Sequence, residues 1–436
     1  MAHFPGYRCS LCGAEYAPNE VQYICPKHGD MGNLDIVLDY AAINRLTSPE
    51  SISASRDFSL WRYLPLLPIH PDTLTTLRGP NPSYSVNPFF SAGWTPLYRA
   101  DRLAASLGLN ASRVFVKDDG RNPTASFKDR ASAIVVARAR EIGAEVIAAA
   151  STGNAGAALA GMSAAVGHKA VIFAPQTAPP AKVAQLLMFG AKVLLVNGNY
   201  DVAFELCLQA SKEFGWYCRN TGYNPFTREG KKTAAFEICE QLTITNYQLP
   251  ITNWQAPDRI FVSVGDGNII SGIHKGLQEL LALGWIAKMP KLMGVQAERS
   301  AACANAWRDG TETITPAPGD TLASGIAVSL PRDGVRAVRA VRETAGQYIV
   351  VSDEEILQAM PALARDAAVF AESAGAASYA GLVKAVRAGT VAPDESVVLV
   401  NTGNGLKDVA NAMQAAGEAT RIEPTLAAVR QAIHAG

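Results

Sequence analysis

This chain is short of several features that assign a protein to a class. It has no excess charge, with 39 Lys and Arg against 39 Asp and Glu in 436 residues, so it lacks the basic footprint of a nucleic-acid binder and any pull toward an anionic membrane. No apolar run reaches the ~18 residues that a membrane span requires, and the longest small-residue stretch, 155–166, is broken by Gly161 and Ser163. The first residues, Met1-Ala-His-Phe-Pro-Gly-Tyr-Arg8, contain no apolar segment of a secretory signal. The expectation is a soluble, cytoplasmic protein without nucleic acid or membrane as partner. Repeats and low-complexity linkers are absent as well. Cysteine is sparse, seven in all, and scattered except in one place.

That place is the start of the chain. Cys9-Ser-Leu-Cys12 and Cys25-Pro-Lys-His28 are two knuckles about a dozen residues apart, with Gly13 and Gly29 after them to allow tight turns. Four ligands so spaced are how a core-poor segment holds zinc, in a closed tetrahedral site with a structural role. Unligated thiols in a reducing compartment are the alternative. Cys207, Cys218, Cys239 and Cys303 show no ligand spacing and read as small buried residues.

With 48% hydrophobic residues, the chain can build large cores, and its length calls for two lobes rather than one. Short apolar runs alternate with amphipathic stretches, the pattern of an α/β protein. Strands are predicted at 114–117, 146–149, 170–173, 192–196, 260–264, 291–295, 348–351 and 397–400, with helices such as 155–166 and 353–366 between them. Runs apolar on both faces suit a mostly parallel sheet covered on both sides. The spans 243–257 and 308–331 are long and irregular, and read equally as substrate loops or as surface insertions.

Polar residues concentrate where these strands end. After 114–117 comes Asp118-Asp-Gly-Arg-Asn-Pro-Thr-Ala-Ser-Phe-Lys128-Asp-Arg130, which places Lys128 at the start of a helix. The positive end of a helix dipole favours the neutral amine that forms imines, although most lysines so placed are simply solvated. After 146–149 comes Ser151-Thr152-Gly153-Asn154, where free N–H groups and hydroxyls can clasp a carboxylate. After 260–264 comes Gly265-Asp266-Gly267-Asn268, a turn that suits a phosphate; it is neither a G-x-G-x-x-G fingerprint nor a P-loop. After 397–400 comes Asn401-Thr402-Gly-Asn-Gly-Leu-Lys-Asp408. Ligands in open α/β sheets bind beyond the carboxyl ends of the strands, so these turns can share one cleft with Lys128.

In series, these motifs resemble the fold-type II pyridoxal-phosphate enzymes of the tryptophan synthase beta-like superfamily, the threonine synthases in particular. The likeness runs from Gly93-Trp-Thr-Pro-Leu97 through Asn122-Pro-Thr-Ala-Ser-Phe-Lys128, Ser151-Thr-Gly-Asn154, Asn224-Pro-Phe-Thr-Arg-Glu-Gly230-Lys-Lys-Thr233 and Gly294-Val-Gln-Ala297 to Thr402-Gly-Asn-Gly-Leu-Lys-Asp408. It implies two three-layer αβα lobes with mostly parallel sheets, beside the zinc knuckle of residues 1–34. A lead-in over 35–115 would pack on the larger lobe. A smaller lobe over 116–225 would carry Lys128 and the 151–154 loop, and a larger one over 226–436 the cofactor-phosphate loop and Thr402.

The resemblance further implies that Lys128 holds pyridoxal 5'-phosphate covalently and that Phe127 packs by its ring. Asn154 would meet the ring hydroxyl, residues 265–268 the cofactor phosphate, Thr402 the ring nitrogen, and residues 151–153 the substrate carboxylate. A hydroxyl at the ring nitrogen does not keep it protonated as a carboxylate would, which favours elimination and replacement over transamination. The implied activity is that of a lyase converting O-phosphohomoserine and water to threonine and phosphate, in a homodimer. Relatives carry an arginine for the substrate phosphate where this chain has Thr227, and Arg228 is the displaced candidate for that role. The substrate is therefore an amino acid, phosphorylated or not. A cysteate synthase, a threonine or serine dehydratase, a diaminopropionate ammonia-lyase and a catalytically inactive binding homologue stay open as alternatives.

Overall fold

A computed structural model of the chain describes residues 4–29, 32–78, 87–151, 153–178, 180–245 and 251–434. Its strands are β1 Gly6–Cys9, β2 Glu15–Tyr16, β3 Leu34–Val37, β4 Leu97–Arg99, β5 Val114–Asp118, β6 Val146–Ala150, β7 Lys169–Pro175, β8 Lys192–Val196, β9 Tyr217–Cys218, β10 Arg259–Ser263, β11 Lys291–Ala297, β12 Gln347–Val351 and β13 Val397–Asn401. All eight strands read from apolar runs form. The other five are four residues or shorter, too short for a hydrophobic period to show.

A six-stranded sheet runs in the order β12-β11-β10-β13-β5-β4, and a four-stranded sheet in the order β8-β7-β6-β9. Every pairing in both is parallel except that of β4 with β5. Alternate residues of each central strand bury on opposite faces. Ile260, Val262, Val398 and Val400 enter one core, and Phe261, Val397 and Leu399 another. In the smaller sheet Ile147 and Ile172 face the first core, while Ala148 and Phe173 face a third core with Phe204 and Cys207. Both sheets are thus the middle layer of a sandwich, and the first core is shared between them.

The division expected at 115/116 runs through β5, which pairs with β13 and β4 in the six-stranded sheet. The physical reason is register: Val114 lies opposite Val397, and Asp118 opposite Asn401. The strand leading to Lys128 therefore belongs to the larger sheet. The helix Lys128–Glu141 then packs in the shared core, through Ile134 and Val136, with Phe226 and Phe236 of the helix Phe226–Thr245. The N-terminal segment forms an antiparallel sheet, β2-β1-β3.

Candidate active site

Lys128 is the first residue of its helix, and the segment before it is stitched to the turn after β13. Phe127 N donates to Thr402 O at 2.9 Å and Asn404 N to Ala125 O at 3.1 Å. Ala125 sits at φ +65°, a left-handed conformation costly for a residue with a Cβ and held by these bonds. Behind the helix start lies a wholly buried ion group. Arg130 Nε donates to Asp119 Oδ2 at 2.6 Å and its Nη1 to Glu237 Oε1 at 2.5 Å, while Lys117 Nζ donates to Glu237 Oε2 at 2.6 Å. Each member is 0% exposed.

Lys128 opens onto a cavity of about 410 Å³ shared with Ser151, Gly153, Asn154, residues 263–270, Glu372 and Thr402. Burial is the main reason its amine loses its proton more easily than an ordinary lysine. Arg219 acts in the same direction, and Glu372 opposes it. To the helix start read from sequence, burial adds a second cause acting in the same direction.

The turns converge as expected. Asn154 begins the helix Asn154–Ala165, and Ser151 Oγ accepts from Gly153 N at 3.2 Å. Thr152 lies outside the described residues. Gly267, at φ +87°, caps the helix Asn268–Ala282. A Cβ there would lie 2.7 Å from Asp333 O, and one at Gly265 would lie 2.8 Å from Ile326 Cα. This cradle therefore packs too closely on Asp333 and Ile326 to carry a side chain at either glycine, and it ends on the first N–H groups of a helix, a donor set that suits a phosphate. Lys231 reinforces it, donating to Asn268 Oδ1 at 2.5 Å; burial, with Lys128 and Arg219 nearby, drives its amine well below the usual lysine range. Asp266 turns its carboxylate to Arg332 N at 2.7 Å and is pushed up to about 7, chiefly by burial. It serves the cradle through its backbone. The Lys128 amine, a glycine turn at a helix N-terminus, the Asn154 amide and the Thr402 hydroxyl around one cavity are groups that fit pyridoxal phosphate.

Two expectations need correction. Arg228 does not line the cavity. Its Nε donates to Ser271 O at 3.0 Å and its Nη1 pairs with Asp35, because one step along the helix turns the side chain toward β3. Phe127 is wholly buried and also absent from the cavity wall, its ring lying 5.3 Å from the Arg130 guanidinium. It braces the ion group instead.

Glu372 was not found from the sequence. It precedes the helix Ser373–Arg387, and its two carboxylate oxygens accept from Asn154 Nδ2, at 2.8 and 3.1 Å. Burial makes its carboxyl a weaker acid than an ordinary glutamate, against the opposing pull of the Asn154 bond and Lys128. A Cβ at Gly403 would come 2.3 Å from Glu372 Oε1, so this glycine is needed to admit the carboxylate. The available signal was a lone acid, Glu372, in an otherwise small and apolar run. The cavity also carries Lys182, Arg332 and Lys407. The 308–331 span contributes Pro318, Gly319 and residues 324–330 to its wall, which favours the substrate-loop reading.

Near the start of the chain, the ligand atoms of Cys9, Cys12, Cys25 and His28 all lie within 4.8 Å of one another. His28 Nδ1 is 3.8 Å from Cys9 Sγ and 3.6 Å from Cys25 Sγ. Burial pushes the Cys25 thiol up, but hydrogen bonds from Tyr16 and His28 outweigh it and bring it to about 6, toward the thiolate that metals bind. Among the described residues, no helix is long and apolar enough to cross a membrane.

Comparison with known proteins agrees with this geometry. The family model described as pyridoxal-phosphate dependent enzyme matches residues 89–403. The threonine synthase of Methanocaldococcus jannaschii is 38% identical over 418 residues, covering 95% of this chain and 96% of that protein. That of Methanosarcina acetivorans is 38% identical over 428 residues, 98% of each. Among solved structures, the processed threonine deaminase isoform 2 of Solanum lycopersicum superposes with a TM-score of 0.63 at 21% identity, covering 80% of this chain and 93% of that one. Diaminopropionate ammonia lyase of Escherichia coli, in complex with a reaction intermediate, does so with 0.63 at 20% identity, covering 83% and 93%.

Proposed function

Because this chain belongs to the pyridoxal-phosphate dependent enzymes, in their threonine synthase branch, we propose that it converts O-phosphohomoserine and water to threonine and phosphate. The observation that carries this reading is the shared cavity, where Lys128, the 265–268 cradle, Asn154 and Thr402 meet the cations Lys182, Arg332 and Lys407. Pyridoxal phosphate, when bound, supplies an electron sink for carbanions next to the amino group.

The chain's own residues do the rest. The Lys128 amine, which burial makes readier to lose its proton, takes the substrate's α-proton at Nζ and returns a proton later. Ser151 and the N–H groups of its turn hold the substrate carboxylate. Lys182 and Arg332, on the same wall, take the substrate phosphate in place of Arg228; the Arg332 guanidinium lies over the Phe204 ring, with Asp201 and Glu205 at 3.6 and 3.8 Å, long pairings that a closer anion can displace. Asn154, steadied by Glu372, orients the ring hydroxyl. The wall formed by residues 324–330 limits water near Lys128.

Zinc, in this reading, is held by Cys9, Cys12, Cys25 and His28 as a closed structural site. The protein is a cytoplasmic homodimer, a state checked by light scattering.

The test is direct. Purified protein is incubated with O-phosphohomoserine, and phosphate and threonine are assayed in the same tube. Equal amounts of both, abolished in Lys128→Ala, support the proposal. Ammonia released from threonine, serine or diaminopropionate, with no phosphate from O-phosphohomoserine, would replace it with a dehydratase or ammonia-lyase reading.

A further inference from the structure

The Cys/His cluster does not line the cavity, yet a chain of hydrogen bonds, buried at its core, joins the two. Residue 33 is fixed by both knuckles. Ser10 N, inside the first, donates to Asn33 O at 3.0 Å, and Cys25 N, which opens the second, donates to Gly32 O at 2.7 Å. Ile24 and Asn33 also form a bridge pair. A Cβ at Gly32 would lie 2.8 Å from Cys25 Cβ and 3.0 Å from His28 Cβ, so the strand passes as close to the ligands as backbone can.

From this anchored strand two side chains reach into the larger lobe. Asn33 Nδ2 donates to Arg332 O at 2.9 Å and to Asp333 Oδ1 at 3.3 Å. Asp35 accepts from Arg336 Nη1 at 2.7 Å, and Arg336 Nε donates to Asp333 Oδ1 at 2.5 Å. Asp333 is 0% exposed, and its other oxygen, Oδ2, holds the cradle itself. Asn268 Nδ2 donates to that oxygen at 2.7 Å and Ser271 Oγ at 2.5 Å. Asp333 N in turn donates to Asp266 O at 3.0 Å. One oxygen of Asp333 thus faces the knuckle strand and the other the cofactor-phosphate loop.

We infer that the metal site at the N-terminus positions the 265–268 cradle through Asn33, Asp35 and Asp333, so that metal occupancy sets how tightly the cofactor phosphate is held. This rests on the metal and cofactor readings given above. The physical ground is that a buried carboxylate loses its geometry when one of its donors is released, and the amides it orders lose theirs with it. Asn33 and Asp35 are positioning residues; neither lines the cavity.

The test uses full-length protein, with zinc content measured by mass spectrometry and pyridoxal phosphate affinity by absorbance titration of the cofactor-free form. Wild type should carry one zinc per chain. Removing it, by a chelator or by Cys12→Ser, should weaken cofactor binding about tenfold, the effect of one lost buried hydrogen bond, with the far-ultraviolet circular dichroism unchanged. Asn33→Ala, which leaves all four ligands in place, should keep its zinc and weaken the cofactor to a similar degree. Arg8→Ala, on the exposed side of β1, should change neither. A purely local role for the metal would lower the melting temperature and leave cofactor affinity within about twofold, and that result overturns the inference while sparing the metal site. Protein that takes up no zinc at all overturns both.

Discussion

Replacing Glu237 by glutamine removes one negative charge from four buried ions while keeping the side chain's shape. In the native protein Lys117 and Arg130 face Glu237 and Asp119, with every side chain 0% exposed. The variant leaves two cations against one anion, without water to solvate the excess. Two independent estimates of the cost agree. Breaking a buried pair by removing one partner typically costs about 3–5 kcal/mol. The Arg130 and Lys117 charges overcome burial and bring the Glu237 carboxyl from its ordinary 4.5 to about 2, which at about 1.4 kcal/mol per tenfold change in acidity is roughly 3 kcal/mol. The sign in pH follows from the same numbers. A carboxyl made more acidic by folding contributes stability that is complete above its ordinary value and is lost as pH falls toward its folded one. Urea denaturation of wild type and Glu237→Gln should therefore differ by about 3 kcal/mol at pH 7, and by roughly half of that at pH 3.5. A difference under about 1 kcal/mol at pH 7, or one that grows on acidification, would refute the account of this group. Because Arg130 lies two residues beyond Lys128, the variant should also release the cofactor faster.

Three further outcomes are expected. Arg228→Ala should lower stability by about 2 kcal/mol through the loss of its partners Asp35 and Ser271, while the KM for O-phosphohomoserine stays within about twofold; a KM rise with unchanged stability would return Arg228 to the substrate site. Glu372→Gln replaces the acceptor that holds the Asn154 amide, so kcat should drop about tenfold. The acidic limb of its pH profile, set by a carboxyl that burial raises, should vanish in that variant. Gly230→Ala would put a Cβ 2.1 Å from Arg130 O, a backbone atom that cannot yield; a loss of at least about 2 kcal/mol is expected from thermal denaturation.

The resemblance of the chain's motifs to a family pointed to the right fold and cofactor class, and the apolar runs located every central strand. This worked because strands buried on both faces must be apolar throughout, and because turns at strand ends are where polar residues gather. The knuckle was legible for a similar reason: four ligands within one short segment are brought together by local turns alone.

What the sequence could not settle was direction. Phe127 and Arg228 stand in the chain next to or near the cavity-lining Lys128 and Lys231, yet their side chains point at Arg130 and Asp35, because helical rotation and lobe packing decide which face meets the cavity. Glu372 lies 218 positions from Asn154 and meets it only because the link between two helices of the larger lobe closes on the turn after β6. The assignment of β5 to the larger sheet rests on its pairing with β13, across some 280 residues of chain. The sequence by itself determined which segments become strands, which turns carry polar groups and which four residues can bind a metal, since each depends on neighbours in the chain. Only the tertiary structure decided which of those groups share a cavity, which lysine loses its solvent, and how the N-terminal strand reaches the cradle through Asp333, because those depend on contacts between distant segments.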